Sequence, residues 1–314
     1  MRGQAVSEAA TLGRMATPAA VRRPRRRAWP GAAPYLLLAP SAVFLIAFTY
    51  WPVLRVLAGS FTVRGFGATA HAGWSNYARL FADPHFFRAV GNNLIYAAGT
   101  IVPSLTLALA LAVALRESTR IATVLRTIIA LPLLIPLVAA AALFIFIFLP
   151  GAGLLDHYLA IFGLGETNWL GDPALALGSI IAITVWKNTG YYMLFFLAGL
   201  AGIPNELLDA AKIDGAGAVQ RFFRVTLPLL GPTLAFVLII ALLNVLTQVD
   251  HVIVMTQGGP SDSTSLVLYY IYQQAHQNYD VGLASAATVV SVAFLFALSV
   301  ISLRSLERGI HYET

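Results

Sequence analysis

Six long stretches of the sequence consist almost entirely of apolar residues, with polar or charged positions between them. They run over about residues 35–55, 91–115, 121–149, 174–200, 227–249 and 282–303. An α-helix needs about 20 apolar residues to cross the roughly 30 Å of hydrocarbon in a bilayer. Barrel strands would be shorter and would alternate apolar with polar positions. The pattern therefore predicts an all-α, polytopic membrane protein with six transmembrane helices.

Prolines within or beside these predicted spans are expected to kink the helices, since a proline removes one backbone hydrogen bond. They are Pro40, Pro103, Pro132, Pro136, Pro228 and Pro232.

The two longest connections between predicted spans carry aromatic residues. Residues 56–90 are expected to form an interfacial helix, with Trp74, Tyr77, Phe81, Phe86 and Phe87. Residues 250–281 contain a predicted turn at 258–260. The stretch 269–272 that follows is rich in tyrosine and is expected to lie flat at the outer membrane interface.

The composition agrees with a membrane protein. Of the 314 residues, 58% are hydrophobic and 11% are charged, whereas soluble domains average about 25% charged residues. This excludes an ordinary soluble enzyme, a disordered chain and a disulfide-rich module. The sequence has no cysteine, so disulfides, iron–sulfur clusters and thiolate metal sites are also excluded.

The twenty Lys and Arg residues are distributed unevenly about the predicted spans. Fifteen lie before the first span, between the second and third spans, between the fourth and fifth spans, or after the sixth span. Four lie on the opposite side, and Lys187 lies inside the fourth span. By the positive-inside rule both termini are cytoplasmic, and the net charge of +6 reflects membrane orientation, not a nucleic-acid partner. The predicted organisation is a disordered basic tail at 1–34, a transmembrane domain at 35–304 and a cytoplasmic tail at 305–314.

The chemistry that would make this chain a catalyst is missing from its sequence. Neither of its two lysines, Lys187 and Lys212, follows the glycine-rich turn of a phosphate-binding loop. No carboxylate lies deep in a predicted span, and Asp250 comes nearest. The six histidines are scattered singly and are expected in loops or at interfaces. We therefore expect a transport component that is not an enzyme and has no catalytic residue, metal site or bound cofactor.

The connection between the fourth and fifth predicted spans carries the most specific pattern. Pro204 and Asn205 can begin a helix, Glu206 favours its first turn, and Gly215 and Gly217 end it. A second helix follows and leads into the fifth span. A short amphipathic helix of this kind suits either a groove in another protein or the membrane surface.

Charge distinguishes these two alternatives. A helix that binds the membrane surface is usually rich in Lys and Arg, whereas this one carries Glu206, Asp209 and Asp214 against Lys212. Anionic lipid would repel such a helix, which favours a protein partner.

The same segment resembles the "EAA" coupling motif of permease subunits in binding-protein-dependent ABC importers. The matching residues are Asp209-Ala210-Ala211, Asp214-Gly215-Ala216, Phe222 and Leu227-Pro228, with Asp209 where many members have Glu. Trp186-Lys187, the stretch 197–200 and Gly258-Gly259-Pro260 extend the resemblance to the carbohydrate-uptake branch, of maltose or glycerol-3-phosphate type.

The resemblance implies a type I ABC importer permease fold and a machine of several chains. Its expected partners are a second permease subunit, two cytoplasmic ATP-binding subunits that use ATP and Mg, a periplasmic solute-binding protein and membrane lipid. The implied substrate is sn-glycerol-3-phosphate or a related sugar. The coupling segment is 204–224, and the implied ATPase-coupling residues are Glu206, Asp209, Ala210, Ala211, Asp214, Gly215, Ala216, Phe222 and Pro228.

Polar residues inside the fourth and fifth predicted spans are candidates for the substrate path. They are Lys187, Asn188, Tyr191, Asn244 and Gln248. A buried charge in a membrane is costly and therefore points to function by default. These residues could line one cavity, as the resemblance to maltose-type permeases implies. Alternatively, they could join helices, with Lys187 bound to a carbonyl or a hydroxyl.

Other functions fit the sequence less well. Within the same class, the protein could import a di- or oligosaccharide. A stand-alone secondary carrier or channel is disfavoured by the absence of membrane carboxylates and by the coupling segment. A membrane-embedded enzyme would need a group of catalytic residues, and the sequence shows none.

Overall fold

The computed structural model describes residues 33–63, 71–163 and 165–307. Most of the predicted tails at 1–34 and 305–314 lies outside these residues. Within them the chain is helical, apart from a two-residue antiparallel ladder between β1 (Thr62–Val63) and β2 (His71–Ala72). The predicted all-α polytopic class is confirmed.

The first compact unit of the chain ends at Pro52. It contains α1 (Ala33–Leu45) and a π-helical turn at Ile46–Tyr50, and the boundary between the two units lies within α2 (Trp51–Ser60). The apolar side chains of α1 and of this turn are exposed, with Phe48 at 73%. Such a surface needs lipid or another apolar partner to cover it.

The second predicted span begins earlier than expected. The connection before it contains α3 (Ser75–Ala82), after which α4 runs over Pro84–Ala114. The predicted start near residue 91 was wrong because Asp83 and Pro84 form a strong start signal. The Asp83 carboxylate accepts a hydrogen bond from the His85 amide at 2.9 Å, and Pro84 occupies the first helical position.

The third predicted span is two helices instead of one. α5 (Arg120–Ala130) ends in a 3₁₀ turn at Leu131–Leu134, and α6 (Leu137–Ile147) leaves at an angle of 101°. Pro132 and Pro136 lie at this break, where each removes a backbone donor. The predicted kink is therefore present, but a continuous span over 121–149 was wrong.

The centre of the second compact unit is the packing of α8 (Ala176–Ala201) along α4. Their contact combines small buried residues such as Ala108 and Ala112 with large ones such as Tyr192 and Phe196. On another side, α8 approaches α5 at Gly190, where an added Cβ would lie 2.0 Å from the Ile129 carbonyl oxygen. Small residues permit this close approach of backbones.

The fifth predicted span is also interrupted. After α8 come α9 (Asn205–Ile213), α10 (Ala218–Arg221), a π-helical turn at Phe222–Thr226 and α11 (Leu227–Leu229). The apolar helix α12 (Gly231–Thr247) follows, and α13 (Asp250–Met255) comes after two non-helical residues.

The tyrosine-rich stretch after the predicted turn is buried. Gly258 has a φ of 78°, and α14 (Val267–Tyr272) follows the turn. Tyr269 and Tyr270 are 3% and 1% exposed, so their predicted place at the outer interface was wrong. Tyr270 packs with residues of α3, α4 and α15 (Val281–Glu307), and its hydroxyl donates to the Asp83 carboxylate at 2.6 Å. Both the ring and its polar end are therefore satisfied inside the protein.

Four helical stretches in the described residues are long and apolar enough to cross a membrane, at 35–60, 84–114, 176–201 and 231–255. The bent pair α5–α6 would make a fifth. The sixth predicted span corresponds to α15, whose apolar part covers Val281–Ala297. The break between α5 and α6 accounts for the third span, and within the described residues the sixth counts as a shorter apolar helix.

Asp156 organises the connection between α6 and α8, on α7 (Leu154–Ala160). Its carboxylate, in a residue 5% exposed, accepts from the Gly151 amide at 2.8 Å, the Trp169 indole at 2.7 Å and the Thr167 amide at 3.2 Å. The Gly151 amide, followed by the Trp169 indole, holds the pKa of Asp156 below its ordinary value of 3.8. This stabilisation is complete above that value and is lost as the pH falls below it.

We expect Asp156→Ala to speed hydrogen exchange at the Gly151 and Thr167 amides by about tenfold, because each loses a charged acceptor. Hydrogen–deuterium exchange by mass spectrometry measures this directly. Glu166→Ala is the matched control, since it removes an exposed carboxylate from the same connection. Equal exchange in the two variants would contradict the role of Asp156.

Candidate functional site

The predicted coupling segment forms the expected helix, glycine turn and second helix. α9 begins after Pro204 and closes with backbone bonds from the Gly215 amide to the Lys212 carbonyl and from the Ala216 amide to the Ala211 carbonyl, both 3.0 Å. Gly215 has a φ of 80°, in the left-handed region that favours glycine. The turn therefore depends on the residue type at this position.

The face of this segment that points away from the rest of the chain is acidic and apolar. No residue of α9 is buried, and Glu206 and Asp214 are exposed. Around the glycine turn, Ile213, Val219 and Phe223 are 86%, 72% and 60% exposed. An exposed apolar rim next to charges is typical of a surface that another molecule covers.

The charges of α9 are partly paired within the helix. Lys212 Nζ donates to the Asp209 carboxylate at 2.7 Å, and this hydrogen bond, with the charge of Lys212, lowers the pKa of Asp209. Both side chains are more than half exposed, so the pair adds little stability. Glu206 and Asp214 remain as the exposed acids of the predicted site.

The remaining predicted coupling residues lie in or beside the turn. Ala211, Ala216 and Phe222 are half-buried, while Ala210 and Pro228 are exposed. The Phe222 ring meets that of Phe223 edge-on, with centroids 5.0 Å apart.

Lys187 lies against the break between α5 and α6. Its ammonium donates to the Pro132 carbonyl at 3.0 Å and to the Ile135 carbonyl. These carbonyls belong to a 3₁₀ turn that ends without a continuing helix, and a cation compensates such a helix end. Of the two alternatives for Lys187, the geometry matches the one in which it joins helices.

The other predicted path residues lie elsewhere on α8 and α12. Asn188 is buried and Tyr191 is half-buried. Asn244 Nδ2 donates to the Tyr192 hydroxyl at 3.2 Å, which links α12 to α8. Gln248 follows the end of α12 in extended backbone. The five candidates thus divide into Lys187 at the α5–α6 break, Asn188 and Tyr191 elsewhere on α8, and Asn244 and Gln248 at the end of α12.

Sequence reasoning missed a buried polar cluster. The Tyr96 hydroxyl lies 2.9 Å from His251 Nε2 and 3.0 Å from Thr184 Oγ1, which joins α4, α13 and α8. His251 is 0% exposed, so its expected place in a loop or at an interface was wrong. The available signal was the polar positions Tyr96 and Thr184 inside apolar stretches, because such groups need partners.

Comparison with known proteins identifies the family. Residues 104–312 match the family described as binding-protein-dependent transport system inner membrane component. The chain is 33% identical over 283 residues to the sn-glycerol-3-phosphate transport system permease protein UgpA of Escherichia coli (strain UTI89 / UPEC), which covers 89% of this chain and 96% of that protein. UgpA of Yersinia enterocolitica (serotype O:8 / biotype 1B) is 34% identical with the same coverage.

Solved structures share the fold. One is a bacterial ABC transporter involved in the import of the acidic polysaccharide alginate, with a TM-score of 0.78, 24% identity, and coverage of 87% of this chain and 94% of that one. The other is a bacterial alginate ABC transporter in complex with an alginate pentasaccharide-bound periplasmic protein, with a TM-score of 0.76, 24% identity, and coverage of 85% and 91%. The predicted importer permease fold is confirmed, and the protein is a transport component, not an enzyme. The chain belongs to the family of inner-membrane components of binding-protein-dependent transport systems.

Proposed function

We propose that this chain is one of two permease subunits in an ATP-driven importer and forms half of its translocation path. The observation that carries this proposal is the exposed helix–glycine turn–helix at Asn205–Thr226, with its acidic and apolar outer face. Two cytoplasmic ATP-binding subunits bind this face and that of the second permease subunit, and they use the ATP and Mg. A periplasmic binding protein delivers the ligand on the other side.

The proposed mechanism is rigid-body alternating access. Closure of the ATP-binding subunits displaces α9, which joins α8 through the three residues 202–204. Leu200 and Ile203 belong to the same buried cluster as Tyr192 and Phe196, and Leu208 of α9 packs against it. A displacement of α9 is therefore transmitted to the packed helices, because a close-packed core moves as a unit.

The proposed ligand is sn-glycerol-3-phosphate or a related sugar, which the names of the similar UgpA proteins support. Within this proposal Asn188, Tyr191, Asn244 and Gln248 line the path, because they are polar residues on α8 and at the end of α12, two helices that Asn244 and Tyr192 link. Lys187 holds the α5–α6 break and does not bind the ligand.

The proposed orientation places both termini and the coupling segment in the cytoplasm. Its support is the distribution of Lys and Arg, fifteen of which lie on one side of the predicted spans.

We expect Gly215→Val to leave the chain in the membrane but to abolish binding of the ATP-binding subunits. A β-branched residue at a φ of 80° costs about 1–2 kcal/mol or more and reshapes the turn that presents the apolar rim. Co-purification of the ATP-binding subunits with a tagged permease measures this. Gly217→Val is the matched control, because Gly217 has a φ of −65° and open space around it. Normal co-purification with Gly215→Val would count against the coupling assignment.

We expect Lys187→Met to lower ligand uptake without preventing assembly. It removes the donor to the Ile135 carbonyl, at a cost of about 1–3 kcal/mol if that group stays unpaired, whereas the Pro132 carbonyl keeps the Ile135 amide as a donor. Lys187→Arg, which can still donate to both carbonyls, should retain most of the uptake. Radiolabelled uptake and co-purification test the three proteins side by side. Unchanged uptake by Lys187→Met would refute this role.

A further inference from the structure

A cavity lies behind the coupling segment, on the opposite side of α9 from its exposed rim. It has a volume of about 730 Å³ and is bounded by α9, α10, the last turns of α4 and α8, and residues 116–118. Volumes of about 300–1,000 Å³ are typical of small-molecule sites. Neither the proposed docking of the ATP-binding subunits nor the proposed substrate path uses this space.

Three basic side chains line the cavity, and their pairing is incomplete. Lys212 is engaged with Asp209, but Arg116 makes only a contact of 3.5 Å to the Asn205 amide oxygen. Arg221 Nε is buried and has no hydrogen-bond partner among the described residues. An arginine has five N–H donors, and the two arginines that line the cavity have few acceptors among the described residues, which leaves donors for an acceptor from outside the chain.

The charges that line the cavity do not cancel. Arg116, Lys212 and Arg221 face two acids, Glu117 and Asp209. Lys212 pairs with Asp209, which the charge of Arg221 also reaches, and the lining keeps one positive charge in excess. Arginine binds phosphate through parallel N–H donors, which a single ammonium cannot reproduce.

The remaining wall is apolar. Val113 and Leu200 contribute to it at the ends of α4 and α8, and Leu208 of α9 and Phe222 complete it. A cavity with basic groups on one side and apolar groups on the other matches an amphiphile with a phosphate head. Basic pockets at the ends of transmembrane helices bind phospholipid head groups by this combination.

We propose that this cavity binds the phosphate group of an anionic phospholipid through Arg116 and Arg221. The apolar wall contacts the apolar part of the lipid, and this contact selects the phospholipid over soluble phosphate. The occupant contacts α9 from the side facing the membrane-embedded helices. If the proposed coupling function holds, the bound lipid also stabilises the position in which α9 binds the ATP-binding subunits.

The test is a binding titration on the assembled complex in detergent, with dioctanoyl-phosphatidylglycerol and inorganic phosphate as two separate probes. Native mass spectrometry counts the bound lipid, and competition by phosphate distinguishes the two sources. Dioctanoyl-phosphatidylcholine has the same acyl chains without net charge and controls for apolar binding. We expect saturable binding of phosphatidylglycerol that is at least about tenfold tighter than that of phosphatidylcholine.

The double variant Arg116→Gln/Arg221→Gln should weaken phosphatidylglycerol binding by about tenfold or more, because it removes both proposed phosphate ligands. Arg120→Gln removes an exposed arginine that does not line the cavity, and it should change binding less than about twofold. Should the double variant fail to assemble, Arg116→Gln alone should weaken binding about threefold.

Equal binding of phosphatidylglycerol to the double variant and the original protein would overturn the proposal. So would the absence of saturable binding by either probe, or equal affinity for phosphatidylcholine. Saturable phosphate binding that phosphatidylglycerol does not displace would keep the phosphate site and overturn the choice of lipid. If the ATP-binding subunits fail to co-purify, the titration is done on the permease chains alone. A failure of the proposed coupling function can then be distinguished from a failure of the proposed lipid site.

Discussion

Inside a bilayer every backbone polar group must find its partner within the protein. The break in the third apolar stretch is where this requirement is hardest to meet, because the helical hydrogen bonds are interrupted there. Pro132 and Pro136 interrupt the helix, and the Ile135 amide bonds the Pro132 carbonyl across the turn. Lys187 of α8 donates to the Ile135 carbonyl and adds a second donor to that of Pro132, and Gly190, one turn further along, lets α8 approach the Ile129 carbonyl closely. A charged residue and a glycine on one helix thus compensate the irregularity of its neighbour.

The position of α8 also relates the membrane helices to the coupling segment. Along its length α8 packs against α4, and near its end it shares the cluster that contains Leu200 and Ile203. Three residues later α9 begins, without a flexible linker between them. Any force on α9 therefore acts on α8, the helix that holds the α5–α6 break. The same helix is linked through Tyr192 to Asn244 of α12, the helix that ends at the interruption of the fifth stretch.

The sequence was most informative where structure is decided by neighbouring residues. Pro204 and Gly215 predicted the ends of α9, and Pro132 and Pro136 predicted a kink where the structure has a break. It was less informative where distant segments decide. Tyr270 and His251 are buried because α3, α4, α8 and α15 surround them, which no local pattern near residue 250 or 270 records. The interruption after Thr247 likewise carries no proline or glycine signal.

The charges of α9 differ between its outer face and the cavity beside it. The acids Glu206 and Asp214 are exposed beside the apolar rim, so an anionic membrane surface is disfavoured there. Behind the helix the balance reverses, because Lys212 neutralises Asp209 while Arg116 and Arg221 border the cavity. A helix that is acidic by composition thus has an acidic outer face and borders a cavity whose lining is basic. Net charge along a sequence cannot distinguish these surfaces, since the segment folds back on itself at Gly215 and brings Arg221 beneath α9.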